Sequence, residues 1–532
     1  PLRCNPDGSS KYDLSVYPEG AVNTRASVLK AKGEDNYIAE KEISADLIER
    51  IGAENHFTFT EDWRMGQVEN AAKLIQEVKE LTGSKKVNLY GLSHGGQLTA
   101  AYLYYYGAKG DVDRAIMDAP AIGGTQLVVD LFEGNIHFDV ATLIEYVEIG
   151  FRKEYEYEWL VEAFGFDRLN QAFNDIIHQY LLDIVINFGS VWDFVPLDKY
   201  EEFKAKYLDP VENAELIAKS DEMHYNAMAH MSEGLKRAQS AGTRIAIVAN
   251  TGHDIGTSTG VNSDYVIDVH SSSGAYCAPF GERFPADCQK QNTVCGDPTH
   301  WHISPERDID ASCAYLPENT WFVNGQFHGM CPWDRYTRNF YLTFFFTDRI
   351  TDVYSDKEFP QFDLGQNPAN GLYVKFDRSP SGFHTAKDTA LTVESLSEQY
   401  DTEIISIKAD GIDVDLSSCN DTVLKVGESC KIKFKEHALP KSTEPFTVTV
   451  VYSLKNGKIP FVKSRTFTFT AMSEGEYDNF VFLSGRKPIP GSAANGGKAP
   501  LTPPTGAPAA FSAITLLAGA AMLPIAGKRR KK

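Results

Sequence analysis

Positive charge is scarce in this sequence relative to negative charge. Lysine and arginine number 52 against 72 aspartates and glutamates, which gives a formal net charge of −20, and five of the basic residues stand together at 528–532. A body this acidic lacks the basic surface that nucleic-acid phosphates require. The composition therefore excludes a nucleic-acid-binding protein, while a hydrophobic content of 42% is that of a folded globular chain.

Cysteine is also sparse, and paired metal-binding motifs are missing. None of the 8 cysteines lies in a C-x-x-C motif or beside an H-x-x-x-H motif, so a zinc site is only the alternative interpretation of these cysteines, and we expect no metal and no cofactor. Five cysteines nevertheless fall between Cys277 and Cys331, and Cys419 and Cys430 form a second local group. This density predicts disulfides made outside a reducing cytosol. Because five is odd, at least one must pair elsewhere or stay free, and Cys4 is the outside candidate.

The start of the chain lacks two features of an exported precursor. It begins at Pro1 with no initiator methionine and no signal peptide, although its other end resembles that of an exported protein. We therefore expect further residues upstream.

The stretch most informative about function is 87–96, VNLYGLSHGG, in which an apolar run ends in G-x-S-x-G. A serine at the tip of a strand-to-helix turn needs glycine two residues away on either side, because the backbone is strained and the helix passes close to its own strand. Gly91 and Gly95 occupy those positions. Ser93 is therefore the predicted nucleophile, although a plain Gly-Ser turn would give the same short pattern.

The flanking segments predict alternating strands and helices. An amphipathic helix is expected over 67–82, a buried helix over 97–106 and a further buried strand over 114–120. A strand at 243–250 and a terminal helix at 334–350 complete the pattern. The fold class predicted for residues 1–352 is α/β with a parallel sheet.

Between about 123 and 241 the strand pattern gives way to helical, aromatic-rich segments, including 141–155, 159–166 and 169–188. An insertion of this size between sheet strands predicts a helical cap over the active site, since binding loops gather at the carboxyl ends of the strands. The alternative is a plain helical subdomain whose aromatic residues form its own core.

A serine nucleophile needs a histidine base and an acid to orient that histidine, in the chain order Ser, acid, His. Asp264, at the end of a Gly/Ser/Thr-rich loop, is the preferred acid, with Asp254 and Asp268 as alternatives that could instead cap backbone amides. His328 is the preferred base because it follows the apolar run 320–327, and His253 is its main competitor. His270, His300 and His302 are the other histidines considered.

These residues carry a family resemblance. Glu61-Asp62-Trp63-Arg64, a helix and then G-L-S-H-G-G resemble the lecithin:cholesterol acyltransferase branch of the α/β-hydrolases, and S-D-Y-V at 263–266 is similar to that family's G-D-G-x-V acid loop, with Ser and Tyr in place of glycines. The resemblance covers roughly residues 1–350. It implies an esterase, lipase, phospholipase or acyltransferase acting on lipid-like acyl esters.

The oxyanion hole of such an enzyme takes two backbone donors. One would be the N–H of His94, the residue after the nucleophile. The resemblance implies that the other follows the first strand of the family's fold, and we expect it at or before Pro1. Loss of one such donor can lower the rate on the order of 10²- to 10³-fold.

Short alternating strands dominate residues 371–486, beginning after a Pro/Gly/Asp-rich linker at 359–371. Runs at 372–376, 390–393, 404–407, 431–434, 446–452 and 466–470 are separated by turn residues, which predicts a β-sandwich resembling the immunoglobulin-like domains of bacterial surface proteins. No catalytic pattern is visible there, and a spacer or binding module is expected. The long acid-to-base connection, with a cysteine-rich insertion at about 270–318, is expected to be stapled by disulfides.

The C-terminal residues predict attachment to a cell surface. A flexible linker at 487–501 precedes the 502–532 segment, which contains P-P-T-G, an apolar span at 507–527 and KRRKK. P-P-T-G resembles a Gram-positive sortase sorting signal, cut between Thr505 and Gly506, and the alternative is a simple membrane anchor. The overall prediction is an extracellular, wall-attached serine hydrolase with sortase and peptidoglycan as partners. The rival is a catalytically silent adhesin or lipid-binding protein on the same fold.

Overall fold

The structure is a computed structural model of the chain. It describes residues 2–363, apart from 40, 84, 141–142, 144–157, 258–259, 283, 286–292, 298, 305–306, 325, 330, 334 and 357–358. Beyond residue 363 it describes 372–377, 390–395, 401–409, 414–415, 423–425, 428–434, 445–455 and 461–470.

A five-stranded sheet, all of whose neighbouring strands are parallel, organises the first part of the chain. Its strands in spatial order are β1 (Val87–Leu92), β2 (Val112–Asp118), β3 (Arg244–Thr251), β8 (Thr320–Asn324) and β9 (Phe362–Asp363). The strands predicted around 87–92, 114–120, 243–250 and 320–327 are all present. β9 was not predicted, because the two residues lie in a segment interpreted as linker; the sheet therefore continues beyond Asp352.

Helices cover both faces of this sheet, as parallel strands require. They are α2 (Lys41–Ile51), α3 (Gln67–Thr82), α4 (His94–Tyr106) and α14 (Arg335–Phe346), while α1 (Ala26–Lys32) packs with Ile38 and with Ile48 of α2. Buried residues of α3 and α4 pack with Ala115 and Met117 of β2, whereas Ile116 between them packs with α14 and with Ile43 of α2. This alternation follows from the two-residue period of a strand.

Among its described residues, the segment between β2 and β3 contains helices and connecting turns but no strand, as predicted. Its helices are α5 (Gln126–Glu133), α6 (Glu158–Phe164), α7 (Phe166–Ile176), α8 (Leu182–Val185), α9 (Gly189–Asp193), α10 (Leu197–Tyr207), α11 (Ala214–Asp221) and α12 (Met231–Ser240), with π-helical turns at Ile177–Leu181 and Glu222–Met228. The rings of Phe132, Trp192 and Phe203 are fully buried and in mutual contact around Phe132. Many of the aromatic residues thus fill the segment's own core, and nearly all of the helix predicted at 141–155 lies outside the described residues.

The described residues of the connection from β3 to β8 contain two short antiparallel pairs and one short helix. They are β4 (His253–Asp254) with β5 (Asn262–Ser263), β6 (Tyr276–Cys277) with β7 (Ile309–Asp310), and α13 (Val269–Ser273). Single 3₁₀ turns occur in this connection and elsewhere at Asp35–Tyr37, Ala53–Asn55, Gly107–Lys109, Ala311–Cys313, Pro317–Asn319 and Cys331–Trp333.

The predicted disulfide staples differ from what this connection shows. Thiols rather than disulfides occur at Cys4, Cys277, Cys295, Cys313 and Cys331, while Cys288 lies outside the described residues. The cysteines belong to separate local environments: for example, the Cys331 thiol donates to Asn250 Oδ1 at 3.0 Å. Backbone pairing of β6 with β7 and side-chain caps such as Asp310, which accepts from the Ser312 N–H at 3.0 Å, hold the connection instead. Cys430 is disulfide-bonded, and Cys419 lies outside the described residues.

The described residues after 371 form antiparallel strands in two sheets of their own. One four-stranded sheet contains β10 (Leu372–Asp377), β11 (Ala390–Ser395), β15 (Ser429–Phe434) and β13 (Val414–Asp415). The other contains β14 (Val423–Leu424), β12 (Asp401–Ala409), β16 (Pro445–Lys455) and β17 (Phe461–Thr470). All six runs predicted as strands are strands here.

The linker at 487–501 and the predicted sorting signal with Thr505, Gly506 and the apolar span lie outside the described residues. Within the part of the chain that the structure describes, no helix is both long enough and apolar enough to cross a membrane.

Candidate active site

Ser93 lies in a sharp turn between the end of β1 and the start of α4. Its backbone has φ 56° and ψ −116°, a left-handed conformation that is strained for a residue with a side chain. Hydrogen bonds hold it there: the Ser93 N–H donates to the Asp118 carbonyl at 2.9 Å, and the Gln97 N–H donates to the Ser93 carbonyl at 3.0 Å. The turn therefore holds the serine at the carboxyl edge of the sheet.

Close packing around this turn requires glycine at two positions, Gly91 and Gly96. The sequence pattern predicts Gly91 and Gly95 instead. A Cβ on Gly91 would lie 2.2 Å from the Gly95 carbonyl oxygen and 2.4 Å from Thr99 Oγ1, so only glycine fits. A Cβ on Gly96 would lie 2.6 Å from Pro120 Cβ. A Cβ on Gly95, by contrast, would point into open space, with no neighbouring atom within 4 Å. The tight contact thus falls on Gly96 rather than on the predicted Gly95, because α4 turns Gly96 toward Pro120, two residues after the end of β2.

Asp264 and His328 are brought together although they are far apart in the chain. Asp264 Oδ2 lies 2.8 Å from His328 Nδ1, and the His328 N–H donates to the Asp264 carbonyl, also at 2.8 Å. Both side chains are almost completely buried, with 0% exposure for His328 and 1% for Asp264. Asp264 Oδ1 accepts from two backbone N–H groups, those of Val266 at 3.0 Å and Ile267 at 2.7 Å.

This arrangement sets the proton on the imidazole. An ionised carboxylate can only accept hydrogen bonds, so the proton between Asp264 and His328 belongs to Nδ1 of the histidine. Nε2 then carries the lone pair and is the basic nitrogen. The two backbone donors at Oδ1 fix the orientation of the Asp264 carboxylate.

Ser93 and His328 both lie beside Asp118, the last residue of β2. The Asp118 backbone carbonyl binds the Ser93 N–H, and His328, when protonated, lowers the pKa of the Asp118 carboxyl. The strands β1, β2, β3 and β8 are parallel, so their carboxyl ends meet at one edge of the sheet. Ser93, Asp118 and His328 all lie at that edge. The sheet thereby gathers the predicted nucleophile, acid and base at the same edge.

Asp118 itself was not predicted as a site residue. Burial raises the pKa of its carboxyl to about 6, and the hydrogen bond from the Tyr90 hydroxyl opposes this increase. The Tyr90 hydroxyl donates to Asp118 Oδ2 at 2.6 Å. The available signal in the sequence was an acidic residue directly after the apolar run 115–117 at the end of the strand, a position that a parallel sheet buries.

His94, whose N–H is the predicted oxyanion donor, begins α4. At this position a backbone N–H has no acceptor within the helix, since the first intrahelical bond is that of Gln97 to Ser93. The His94 side chain is held by Glu61, with Nδ1 to Oε1 at 2.8 Å, and its ring lies edge-on to Phe194 at 5.5 Å between centroids. Glu61, the first residue of the E-D-W-R segment, is thus connected to the turn.

Asp193 connects the helical segment between β2 and β3 to the turn at Ser93. Asp193 Oδ2 accepts from the Gln67 N–H at 2.6 Å at the start of α3, and its carbonyl accepts from Gln97 Nε2 at 2.7 Å. Burial raises the pKa of the Asp193 carboxyl to about 7, opposed by the Gln67 hydrogen bond and by the charge of His94. This second buried carboxyl was also missed from the sequence.

The alternative acids have backbone partners instead of histidine partners. Asp268 caps α13 through the Ser271 N–H at 2.8 Å and binds the Gln126 N–H at 3.0 Å. Asp254 Oδ1 accepts from two backbone N–H groups of its own loop, at 3.1 and 3.0 Å. The competing base His253 stacks on Phe327, with centroids 3.9 Å apart, immediately before His328.

Comparison of the chain with protein-family models, with curated proteins and with solved structures found no match in any of the three. The proposal of a function therefore depends on the site and on the sequence.

Proposed function

We propose that the protein is a serine hydrolase or acyltransferase that acts on acyl esters through an acyl-enzyme. Ser93 Oγ attacks the ester carbonyl, His328 Nε2 accepts its proton, and Asp264 stabilises the imidazolium that forms. The N–H of His94 stabilises the oxyanion. The alcohol then leaves with the proton from His328, and water or a second alcohol takes the acyl group from Ser93. The observation that carries this proposal is the buried Asp264–His328 pair at the edge where the strained Ser93 lies.

The proposed architecture is an α/β-hydrolase with residues 123–241 as its cap and 371–486 as an immunoglobulin-like β-sandwich. The connection of Asp193 to α3 and α4 supports a cap located beside the nucleophile turn. Large apolar side chains on this segment are exposed, including Phe164 at 50% and Tyr180 at 48%. Exposed apolar surface of this kind favours lipid-like substrates, which present acyl chains.

The experiment is covalent labelling followed by an ester screen, both on the full-length ectodomain. A fluorophosphonate probe should label Ser93, and hydrolysis should be found among p-nitrophenyl esters of graded chain length or phospholipids. Ser93→Ala should abolish both labelling and hydrolysis, while Ser240→Ala, a serine at the end of α12, should change neither. Absence of labelling together with binding of intact lipid would favour the silent lipid-binding protein instead.

We also propose that the chain is attached to the wall of a Gram-positive bacterium. P-P-T-G directly before an apolar span and a basic end supports sortase cleavage between Thr505 and Gly506, because the two prolines favour the extended peptide that a transpeptidase binds. The span then holds the precursor in the membrane until cleavage. Material released by a muralytic enzyme should contain a peptide ending at Thr505 and carrying a wall fragment; intact protein retaining 507–532 in detergent extracts would indicate a simple membrane anchor.

A further inference from the structure

We propose that Cys295, His300 and His302 bind a structural zinc ion, with Glu318 as the fourth ligand. One ligand atom from each of the first three residues lies within 4.8 Å of the others. Cys295 Sγ and His300 Nδ1 are 3.7 Å apart. Zinc–sulfur and zinc–nitrogen bonds of ordinary length in a tetrahedron place two such atoms roughly 3.6 Å apart. The existing spacing therefore already fits one edge of a zinc site.

His302 is held in the tautomer that a metal ligand needs. Its Nδ1 lies 2.9 Å from Gln361 Oε1, and the Gln361 amide is oriented because its Nε2 donates to the carbonyls of Pro317 at 2.8 Å and Thr320 at 3.1 Å. An amide oxygen accepts only, so Nδ1 of His302 carries the proton and Nε2 carries the lone pair. Zinc-binding histidines are commonly supported in this way by a carbonyl or carboxylate at the other ring nitrogen.

Tyr354 is the neighbour that the metal would displace from His302. Its hydroxyl lies 3.2 Å from His302 Nε2, within hydrogen-bond distance. Binding of zinc at Nε2 replaces this bond with a coordination bond. The hydroxyl remains near the site, where it can donate to a ligand instead.

His300 faces acidic side chains on both sides of its ring. Nδ1 lies 2.9 Å from Glu318 Oε1, and Nε2 lies 3.6 Å from Asp297 Oδ2. With zinc at Nδ1, Glu318 Oε1 is already beside the metal position, and Asp297 supports the outer nitrogen. Glu318 is 47% exposed and can adjust its position, whereas Cys295 and His302 are buried.

The donor set selects the metal class. One thiolate and two imidazoles favour zinc over calcium and magnesium, which prefer oxygen ligands. On binding, the Cys295 thiol loses its proton to solvent and its sulfur forms the bond to Zn²⁺, with no change of oxidation state. The sequence pattern did not reveal this set, because C-x₄-H-x-H is neither of the paired motifs typical of zinc sites.

The location suggests what the ion does. Cys295, His300 and His302 belong to the connection between Asp264 and His328, while Glu318 lies two residues before β8 and Gln361 directly precedes β9. A zinc ion would fix the middle of that long connection to the edge of the sheet. It would perform the stapling function that disulfides do not perform among the described cysteines here.

The test is metal binding by the full-length chain, freed of metal by a chelator and titrated with Zn²⁺ against a chromophoric competitor. We expect one Zn²⁺ per chain and a melting temperature that rises with zinc concentration. Cys295→Ser and His302→Ala should weaken binding by about 100-fold or more, since loss of even a supporting residue costs about 10- to 100-fold. Glu318→Gln should weaken it less. Cys277→Ser, a matched substitution of a thiol outside the cluster, should bind as the wild type does.

A spectroscopic measurement on the unmodified chain covers the case in which a variant fails to fold. Substitution with Co²⁺ should give the visible bands of tetrahedral cobalt together with a sulfur-to-cobalt charge-transfer band. Failure of the wild type to bind zinc above the level of non-specific sites would overturn the proposal. So would unchanged affinity in folded Cys295→Ser, or a cobalt spectrum without the sulfur band.

Discussion

The parallel sheet and the antiparallel strands bury different kinds of polar group. At the carboxyl edge of the parallel sheet lie buried charges and strained backbone, namely Asp118, Asp264, His328 and the positive φ of Ser93. Among the described side chains of the antiparallel strands, the buried polar residues are Ser395 and Thr402, which hydrogen-bond to each other at 2.9 Å. Buried charge costs stability unless it is paired. Its concentration in one region supports the proposal that the site lies there and that the antiparallel strands are a scaffold.

The sharpest test of this comparison is removal of the nucleophile. Ser93→Ala should lower ester hydrolysis on the order of 10⁶-fold, and His328→Ala nearly as much, because the members of a triad act as one unit. Circular dichroism and melting temperature should show that both variants remain folded. Turnover by Ser93→Ala equal to the wild type would remove the serine from the mechanism and with it the functional contrast between the regions.

Substitution of the predicted acid should lower kcat, whereas substitution of its alternatives should lower stability rather than kcat. Asp264→Asn should lower kcat by about 10⁴-fold, since the amide favours the wrong tautomer of His328. Asp268→Asn should affect stability more than kcat, because Asp268 binds backbone N–H groups. Steady-state kinetics of both variants checks this. If Asp268→Asn or His253→Ala abolished activity while Asp264→Asn remained active, the buried Asp264–His328 pair would be structural.

The glycines of the turn should differ in stability although they are neighbours. Gly91→Ala and Gly96→Ala should each destabilise the fold by roughly 3 kcal/mol, because their Cβ atoms would overlap backbone or proline atoms. Gly95→Ala should be neutral or stabilising by up to about 1 kcal/mol, as it adds a helix-favouring residue in open space. Denaturant unfolding measures the three values. Equal losses at all three positions would contradict the described packing.

Ionisation of Asp118 should lower the unfolding free energy of the wild type as the pH rises. Its pKa is raised from the ordinary 3.8 to about 6 in the folded state, so its protonated form is favoured by folding. The stability that it contributes is fully present below pH 3.8 and is lost as the pH rises through about 6, a change of about 3 kcal/mol. Asp118→Asn, which cannot ionise, should lack this loss.

The measurement for Asp118 is the difference in unfolding free energy between wild type and Asp118→Asn across that pH window. Taking the difference removes the contribution of other titrating groups, including Asp193, which has the same sign. A difference that does not vary with pH would show that Asp118 ionises as readily in the folded as in the unfolded chain.

The smallest effect is expected in the antiparallel strands. Ser395→Ala or Thr402→Val alone should cost about 1 kcal/mol, since each leaves its partner without their shared hydrogen bond, whereas the double variant should cost less than the two single changes combined. Ester hydrolysis should be unchanged in all three. A loss of activity comparable to that of Asp264→Asn would show that the scaffold takes part in the chemistry.

The sequence by itself determined the local elements. Hydrophobic periodicity and turn residues were sufficient for the parallel strands, for α3, α4 and α14, and for all six longer antiparallel strands, because these patterns depend on residues a few positions apart. The G-x-S-x-G spacing likewise predicted the strained turn at Ser93. β9 was not predicted because a strand of two residues is too short to show a hydrophobic period.

The tertiary structure decided which distant side chains meet. Asp254, Asp264 and Asp268 were alternatives in sequence, and only the path of the connection brings Asp264 to His328, 64 residues away. The same holds for the burial of Asp118 and Asp193, for the contact that restricts Gly96, and for the approach of Cys295 to His300 and His302. Such contacts depend on how loops and helices pack against the sheet. That packing is set by the summed burial of many residues rather than by any local spacing.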